Sequence, residues 1–289
     1  MSARRMQVAV IGCGHMGSLH ARKLLARPEV ELCVLDPAGV PQGLPRVERL
    51  PEQLDAAVVA VPAERHLQVA RPLIQRGVAC LIEKPLAPSS EQARQLLGPR
   101  VSVNHLERLN PAVAALPEQL RPRFLRFERL AAPGPRGWDV DVVRDLMIHD
   151  LDLALHLAGP VRELRALGVP VLGHGIDIAE AWLEHESGCV STLTASRVSR
   201  ESVRRLRVAD AQAYWSLDLD ARTANEVRWA SGELAPRPVE LPVWDPIEEM
   251  HRRFLQAAAG QGDWPCPALQ ALAAVELAEG VAEAVRARL

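Results

Sequence analysis

Short apolar runs alternate with helical patterns along the first third of the chain. Apolar and often β-branched residues fill five such runs, at 6–12, 30–36, 55–62, 78–85 and 101–105. Runs of this length are typical of strands that are buried on both faces of a parallel sheet. Amphipathic stretches with a period of about 3.6 residues follow several of the runs and predict helices. We therefore predict an α/β domain over residues 1–105, with helices covering a parallel sheet.

The pattern changes after residue 105. Residues 123–130 alternate between apolar and polar positions, 141–159 have helical spacing, and strand-like segments follow one another from 161 to about 230. Successive strands without intervening helices indicate an antiparallel sheet. We expect residues 235–246, which are rich in proline, to be irregular, and two helices to close the chain. The sequence therefore predicts a second domain over 106–289.

Composition excludes several classes of protein. The 289 residues include 34 basic and 36 acidic ones, and the net charge of -2 gives no reason to expect nucleic acid or an anionic membrane as a partner. No apolar run approaches the about 20 residues that span a bilayer, and no secretory signal is recognisable. The five cysteines form no C-x-x-C pair, so we expect neither a disulfide framework nor a cysteine zinc site. The expected location is the cytoplasm.

A glycine motif stands between the first predicted strand and the first helix. Gly12, Gly14 and Gly17 form G-x-G-x-x-G, and Asp36 ends the next strand. In a Rossmann domain these glycines permit a tight turn and close approach of a pyrophosphate to the helix N-terminus, and the carboxylate binds a ribose. Residues 37–40 offer no cation for a 2′-phosphate, so we predict NAD rather than NADP. The alternative is a βα turn that binds no phosphate.

Lysine is rare in this chain. Lys23 and Lys84 stand against 32 arginines, and Lys84 lies in Glu83-Lys84-Pro85 at the end of the fourth predicted strand. Ligands of open α/β sheets bind outside these strand ends, where an ammonium group could assist removal of a proton from a hydroxyl group. The alternative is an ordinary surface lysine.

A second candidate group lies on the helix predicted over 141–159. Asp145 and His149 are four residues apart and therefore share a face, which Asp152 extends. A carboxylate beside an imidazole can orient it and stabilise its charged form. A surface ion pair or half of a metal site are the alternatives, and we predict no metal because no H-E-x-x-H or comparable cluster accompanies the pair.

Three histidines at helix starts in the first domain, His15, His20 and His66, could approach a cofactor. Packing or helix capping is the alternative for each of them. Ser196 lies in no G-x-S-x-G context, so serine hydrolase chemistry has little support.

Taken together, these motifs resemble one family. The segments VAVIGCGHMGSLHARKL, VP…H, LIEKPLA and DLMIHDLDL occur in the order and spacing of the glucose–fructose oxidoreductase/inositol dehydrogenase (Gfo/Idh/MocA) family. The resemblance implies an N-terminal Rossmann domain, an α+β domain with an open, mostly antiparallel sheet, and oxidation or reduction of sugars and polyols with a nicotinamide cofactor. Lys84, Asp145 and His149 fall on the family's catalytic Lys, Asp and His. The implied cofactor-binding residues are Gly12, Gly14, His15, Met16, Gly17, Asp36, Pro62, Glu83, Lys84 and Asn104.

A narrower resemblance points to one subgroup. NHLERLNPAV, DVVRDLMIHDLDLAL and RRLRVADAQAYWSLDL are similar to segments of the bacterial UDP-N-acetylglucosamine 3-dehydrogenases that serve diamino-sugar lipid A synthesis. That subgroup has Gly where this chain has Asn104, and Phe where it has Leu109. The resemblance implies oxidation of the sugar C3 hydroxyl to a 3-keto sugar nucleotide, with hydride transfer to NAD. It also implies that Arg108, Asn110 and Arg197, in addition to Asp145 and His149, contact the substrate.

The resemblance leaves some alternatives open. We favour His149 as the general base, oriented by Asp145, with Lys84 supporting the substrate oxygen; Lys84 as the base is the reverse assignment. Another sugar or an inositol is a second possible substrate, and a dinucleotide-binding sensor without catalysis is a third hypothesis. The retained Lys84, Asp145 and His149 argue against the sensor. A homodimer or homotetramer and a pathway link to an aminotransferase are implied by resemblance alone.

Overall fold

The computed structural model describes residues 4–134, 140–172, 175–230 and 233–289. The chain divides into two compact units. The first consists of Met1–Leu106 and Asp245–Leu272, and the second of Glu107–Trp244 and Ala273–Leu289. Sequence analysis assigns all of 106–289 to one domain, whereas the return segment 245–272 belongs to the first unit.

A five-stranded parallel sheet forms the centre of the first unit. Its strands are β1 (Met6–Ile11), β2 (Val30–Leu35), β3 (Ala56–Val59), β4 (Ala79–Ile82) and β5 (Val101–Val103). They lie in the order β2-β1-β3-β4-β5, and all neighbours run parallel. Every residue of β3 and β4 is buried, as expected for strands covered on both faces. The predicted parallel α/β domain is confirmed.

Helices α1 to α7 complete the two units. The helices α1 (His15–Leu25), α2 (His66–Gln75), α3 (Ser90–Arg94) and α6 (Pro246–Ala258) belong to the first unit, and α4 (Pro111–Ala114) and α5 (Ile148–Ala158) to the second. The chain ends with α7 (Ala268–Arg286). None of the helices in the described ranges is long and apolar enough to cross a bilayer.

The return segment covers the free edge of the first sheet. Beside β5, the Val103 amide donates to the carbonyl of Cys266 at 2.9 Å, and the Ser102 hydroxyl donates to the same carbonyl at 3.0 Å. Asp245 caps α6 by accepting hydrogen bonds from the amides of Ile247 and Glu248. An edge strand with unpaired backbone groups needs such a cover. This pairing explains why residues 245–272 fold with the first unit.

An eight-stranded sheet forms the second unit. Its strands are β6 (Phe124–Leu130), β7 (Val161–Val169), β8 (Ile178–His185), β9 (Val190–Ser196), β10 (Val203–Ala209), β11 (Ala213–Asp218), β12 (Thr223–Ala230) and β13 (Glu233–Pro238). They lie in the order β13-β12-β11-β10-β6-β9-β8-β7. All neighbours are antiparallel except β6 and β9, which run parallel, so the predicted mostly antiparallel sheet is confirmed.

The end of this sheet corrects one prediction. Residues 235–246 are predicted to be irregular, but residues 235–238 belong to β13, which pairs with β12. Because β13 is an edge strand, proline can be accommodated there without the loss of a ladder on both sides. Pro236 and Pro238 lie opposite Val227 and Asn225 of β12.

Buried arginine–carboxylate pairs hold the central helix of this unit. Arg129 of β6 donates to Asp150 of α5 at 2.7 Å and to Glu107 at 3.0 Å, and all three side chains are at most 12% exposed. Burial opposes the charge of Arg129, but the two carboxylates raise its pKa. Arg108 binds Asp152 of the same helix through Nε at 2.8 Å and Nη2 at 2.6 Å. The pair of Arg129 fixes α5 against β6, which it contacts, and the pair of Arg108 joins α5 to the segment before α4.

We expect the substitution Asp150→Asn to lower the free energy of unfolding by about 3 kcal/mol, because it leaves Arg129 buried with an incomplete set of charge partners. Urea denaturation followed by tryptophan fluorescence measures the change. The matched control is Glu128→Gln, which removes a half-buried partner 3.9 Å from the partly exposed Arg205 and should cost less than about 1 kcal/mol. Equal losses in the two variants would contradict this account of the buried pair.

Candidate active site

The turn between β1 and α1 is built from glycine for steric reasons. Gly12 has a φ of 89°, and a Cβ atom added there would lie 2.6 Å from the carbonyl oxygen of Ala60. A Cβ at Gly17 would lie 1.9 Å from the carbonyl oxygen of Gly12. At Gly14, by contrast, an added Cβ would have no neighbour within 4 Å, so this side of the turn is open to a ligand. The three glycines therefore have the geometry that the motif predicts.

Charge around this turn suits a dinucleotide. Helix α1 begins at His15 with Gly14 as its N-cap, and its first turn contains no acidic residue. Its free N–H groups therefore favour phosphate. Asp36 accepts hydrogen bonds from the amides of Cys13 at 2.5 Å and Ala38 at 2.8 Å, which hold the carboxylate at the end of β2. The remaining lone pairs of the carboxylate can accept from ribose hydroxyl groups.

A cavity of about 940 Å³ lies along the carboxyl ends of the parallel strands. It has the size of a small-molecule site. Asp36 follows β2 and Lys84 follows β4, and β1 and β3 lie between these strands. Of the residues predicted to bind the cofactor, the cavity wall includes Gly12, Gly14, Met16, Asp36, Pro62, Glu83 and Lys84. This favours a dinucleotide site over a turn that binds no phosphate.

Three of the predicted cofactor contacts lie elsewhere in the first unit. His15 is exposed at the start of α1, and Gly17 is buried against the turn. Asn104 is buried and donates to Glu83 Oε1 at 2.7 Å. A direct cofactor contact by these three residues stays a prediction. Asn104 meets the site through Glu83.

Sequence analysis missed one part of the wall. The segment after β3 contributes Val61, Ala63 and Arg65, and α2 contributes Gln68 and Val69. Arg65 is a cation of this wall that lies outside residues 37–40. The available signal was the position of this segment at the end of a third parallel strand, where ligands of such sheets bind.

His66 connects two loops of the cavity. Its ring nitrogens lie 3.0 Å from the carbonyl oxygens of Val61 and Pro85, so it links the segment after β3 to the Glu83-Lys84-Pro85 turn. The Lys84–Pro85 peptide bond is cis. Burial lowers the pKa of His66, although its carbonyl contacts oppose that shift. His66 therefore acts as a packing residue of the site, which is the alternative that sequence analysis gives to a cofactor contact.

In the second unit, Asp145 and His149 lie where one helical geometry gives way to another. Val143–Met147 forms a π-helical segment, and α5 begins directly after it. Single π-helical turns are frequent at functional sites. Both side chains are half-buried, whereas Asp150 and Asp152 on α5 are buried. Asp145 and His149 are therefore more accessible than the acidic residues that hold the helix.

Three predicted substrate contacts, Arg108, Asn110 and Arg197, have hydrogen-bond partners within the second unit. Arg108 pairs with Asp152, and Arg197 donates to Asp177 at 2.8 Å and to the carbonyl of Val140. Asn110 caps α4 and donates to the carbonyl of Leu219 at 2.8 Å. All three are buried. Each therefore has a structural role, and its contact with substrate stays a prediction.

Among the described residues, no group of three or more His, Cys, Asp or Glu side chains is placed to hold a metal ion.

Comparison with known proteins agrees with the geometry. Residues 35–99 match the Gfo/Idh/MocA oxidoreductase family with an NAD-binding Rossmann fold, and residues 124–211 match the C-terminal domain of that family. The UDP-N-acetylglucosamine 3-dehydrogenase of Acidithiobacillus ferrooxidans is 35% identical over 279 residues, which cover 88% of this chain and 89% of the relative. A D-apiose dehydrogenase of Paraburkholderia graminis is 31% identical, covering 70% of this chain and 63% of that relative.

Solved structures extend the similarity to both units. The structure of the Acidithiobacillus ferrooxidans enzyme superposes with a TM-score of 0.89 at 32% identity, and the match covers 98% of each chain. The glycine turn, the cavity and these matches place the chain in the Gfo/Idh/MocA family of NAD-binding oxidoreductases.

Proposed function

We propose that this chain is an NAD-dependent dehydrogenase that oxidises the C3 hydroxyl group of a UDP-N-acetylhexosamine, with UDP-N-acetylglucosamine as the preferred substrate. The observation that carries the proposal is the similarity to the UDP-N-acetylglucosamine 3-dehydrogenase, which runs through both units. The product is the 3-keto sugar nucleotide. NAD, held at the glycine turn and beside Asp36, would supply the acceptor for the hydride from C3.

Lys84 supports the substrate oxygen in this proposal. It lies in the wall of the cofactor cavity at the end of β4, and it is half-buried. A fixed ammonium group there stabilises negative charge as it develops on the oxygen, and such donors contribute about 3–4 kcal/mol. The cavity supports this role because Lys84 and the cofactor turn share one wall.

His149 is the general base in this proposal, and Asp145 orients it. A neutral imidazole accepts the hydroxyl proton, and a neighbouring carboxylate stabilises the imidazolium that results. The π-helical turn and the accessibility of both side chains support the assignment. Lys84 as the base remains the reverse assignment.

Arg108, Asn110 and Arg197 retain a place in the proposal as substrate contacts. Breaking a buried ion pair is costly, so a diphosphate would have to share the guanidinium of Arg108 or Arg197 with its carboxylate partner. Besides contacting the substrate, these three residues hold the elements around Asp145 and His149 in this proposal.

A dehydrogenase of another sugar is the second candidate. The similarity to a D-apiose dehydrogenase favours it, because that relative is 31% identical to this chain. Resemblance alone supports the remaining parts of the proposal. These are a substrate-binding and oligomer-forming role for the second unit, a homodimer or homotetramer, a cytoplasmic location, and an aminotransferase that consumes the 3-keto product.

We expect the purified protein to generate NADH from NAD and UDP-N-acetylglucosamine when a carbonyl trap removes the product. His149→Ala should lower kcat by about 100-fold or more, because the general base is lost. His156→Gln on the same helix is the matched control and should retain activity. Absorbance at the NADH band measures both. NADH from D-apiose but not from the sugar nucleotide would favour the second candidate, and NAD binding without turnover of any sugar would favour the sensor.

Replacement of Lys84 separates charge from proton transfer. We expect Lys84→Met to lower kcat/KM by about 100- to 1,000-fold, as for the loss of an oxyanion donor. Lys84→Arg keeps the charge and should retain a measurable part of the activity, whereas Lys23→Arg should have no effect. Initial rates across substrate concentrations give these values. Equal loss in Lys84→Arg and Lys84→Met would transfer the base role to Lys84.

Asp36 sets the choice between NAD and NADP in this proposal. We expect Asp36→Ala to weaken NAD binding by about tenfold, because hydrogen bonds to the ribose are lost, and to weaken NADP binding less, because repulsion of the 2′-phosphate disappears. Binding titrations with both nucleotides measure the ratio. Glu31→Ala, an exposed carboxylate on β2, is the control. An unchanged NAD-to-NADP ratio in Asp36→Ala would count against the role of Asp36.

A further inference from the structure

A row of hydrogen-bonded side chains lies behind the cavity wall of the first unit. His251 Nε2 is 2.6 Å from His20 Nδ1, and His20 Nε2 is 2.8 Å from Glu83 Oε1. Both histidines are fully buried, and the Glu83 side chain is 12% exposed. Asn104 donates to the same oxygen of Glu83. The row joins α6, α1 and the end of β4.

The surroundings of His251 assign the protons. Burial, together with the nearby His20, Arg27 and Lys23, lowers the pKa of His251 well below its usual value, so its ring is neutral. Its Nδ1 is buried and has no hydrogen-bond partner among the described residues. The ring proton of His251 therefore lies on Nε2, which donates to His20 Nδ1. His20 Nε2 then donates to Glu83.

Glu83 is the acceptor at the end of this row. Burial alone would raise the pKa of Glu83, but the hydrogen bonds from His20 and Asn104 and the charge of Lys84 outweigh it and lower the pKa. The carboxylate is therefore ionised and held from two sides. Glu83 and Lys84 line the same cavity, and the charge of Lys84 acts on the Glu83 carboxylate. A carboxylate that is held in place therefore presents a fixed counter-charge to the ammonium group.

The row runs inward, to a histidine that solvent does not reach. A row of hydrogen bonds that ends at a buried group can hold a carboxylate in place, but it offers a proton no path to solvent. His251 comes from the return segment, so residues 1–106 alone do not complete the support of the cavity.

We propose that His20 and His251 are positioning residues, which hold the Glu83 carboxylate and through it place Lys84 at the wall of the cofactor cavity. The proposal rests on the role that the proposed function gives to Lys84. Neither histidine contacts a reacting atom in this proposal. Their effect therefore belongs to the orientation of Lys84.

The first test compares His251→Leu with His251→Gln in the full chain, assayed with NAD and UDP-N-acetylglucosamine. Leucine removes the donor, and the glutamine amide restores an N–H donor at similar reach. We expect His251→Leu to lower kcat about tenfold and to leave the substrate KM within about twofold, because an interaction made in the transition state is lost. His251→Gln should recover most of the loss, which a purely steric role would not predict.

The second test reads Lys84 without catalysis, because the chain has only two lysines. Acetic anhydride at limiting concentration labels both, and mass spectrometry of the peptides separates them. Lys23 bonds to Glu248 of α6 at 2.9 Å, so its labelling reports whether α6 stays docked. We expect the labelling rate of Lys84 to change at least about threefold in His251→Leu and to return in His251→Gln. The rate at Lys23 should stay constant.

The outcomes separate the proposals. Wild-type labelling of Lys84 in a folded His251→Leu variant overturns the positioning role, whether or not kcat falls. If the wild-type protein turns over no sugar nucleotide but Lys84 labelling still changes in His251→Leu, the positioning role is supported and the proposed reaction is overturned. If His251→Leu does not fold, Glu83→Gln is measured in its place and should label faster at Lys84. An unchanged rate in that variant overturns the proposal.

Discussion

The close contact between the glycine turn and the neighbouring backbone decides where the first helix begins. A side chain at Gly12 or Gly17 would overlap a carbonyl oxygen, so glycine lets α1 start directly against the sheet. The helix N-terminus then meets the cavity, and the buried face of α1 carries His20 to Glu83. One steric constraint therefore positions both the phosphate-binding end of α1 and the histidine that holds a carboxylate of the cavity wall.

The second unit meets a different requirement, which is to hold a helix while leaving part of it reachable. Arg129 and Arg108 bind Asp150 and Asp152, and each pair is buried. Buried ion pairs add little net stability, but they strongly penalise arrangements that leave a charge alone. They therefore fix α5 in one orientation. Asp145 lies in the π-helical turn before α5 and is half-buried, so its side chain is more accessible than those of Asp150 and Asp152.

Local patterns predicted the strands of the first unit, because buried parallel strands need continuous apolar residues. The tight turn at the glycine motif and the position of Asp36 in the cavity wall were also predictable. The spacing of these residues reflects a steric and an electrostatic requirement. Pairings between distant residues were not predictable. The hydrogen bonds of Ser102 to Cys266 and of His20 to His251 join residues that lie far apart in the sequence. No local pattern of apolar and polar positions indicates such a pair.

One edge strand, β13, escaped prediction for a related reason. β13 carries prolines that argue against a central strand, and only its place at the sheet edge makes them acceptable. Arg65 was missed in the cavity wall because a cation was sought next to Asp36, whereas the parallel strands bring the segment after β3 to the same wall. In both cases the deciding fact is the order of strands in a sheet, which follows from packing of the whole unit.

Arginine and lysine occupy different kinds of position in this chain. Arginine makes the buried pairs of the second unit, where its planar fork binds a carboxylate through two nitrogens, as Arg108 does with Asp152. Lysine cannot replace it there, since an ammonium group lacks that geometry. In the proposed function the cavity wall needs a compact charge at the substrate oxygen, which an ammonium group supplies. In a chain with 32 arginines, Lys84 beside a doubly held Glu83 meets that need. Lysine also leaves the reverse assignment open, because a guanidinium at the same position would supply charge without a transferable proton.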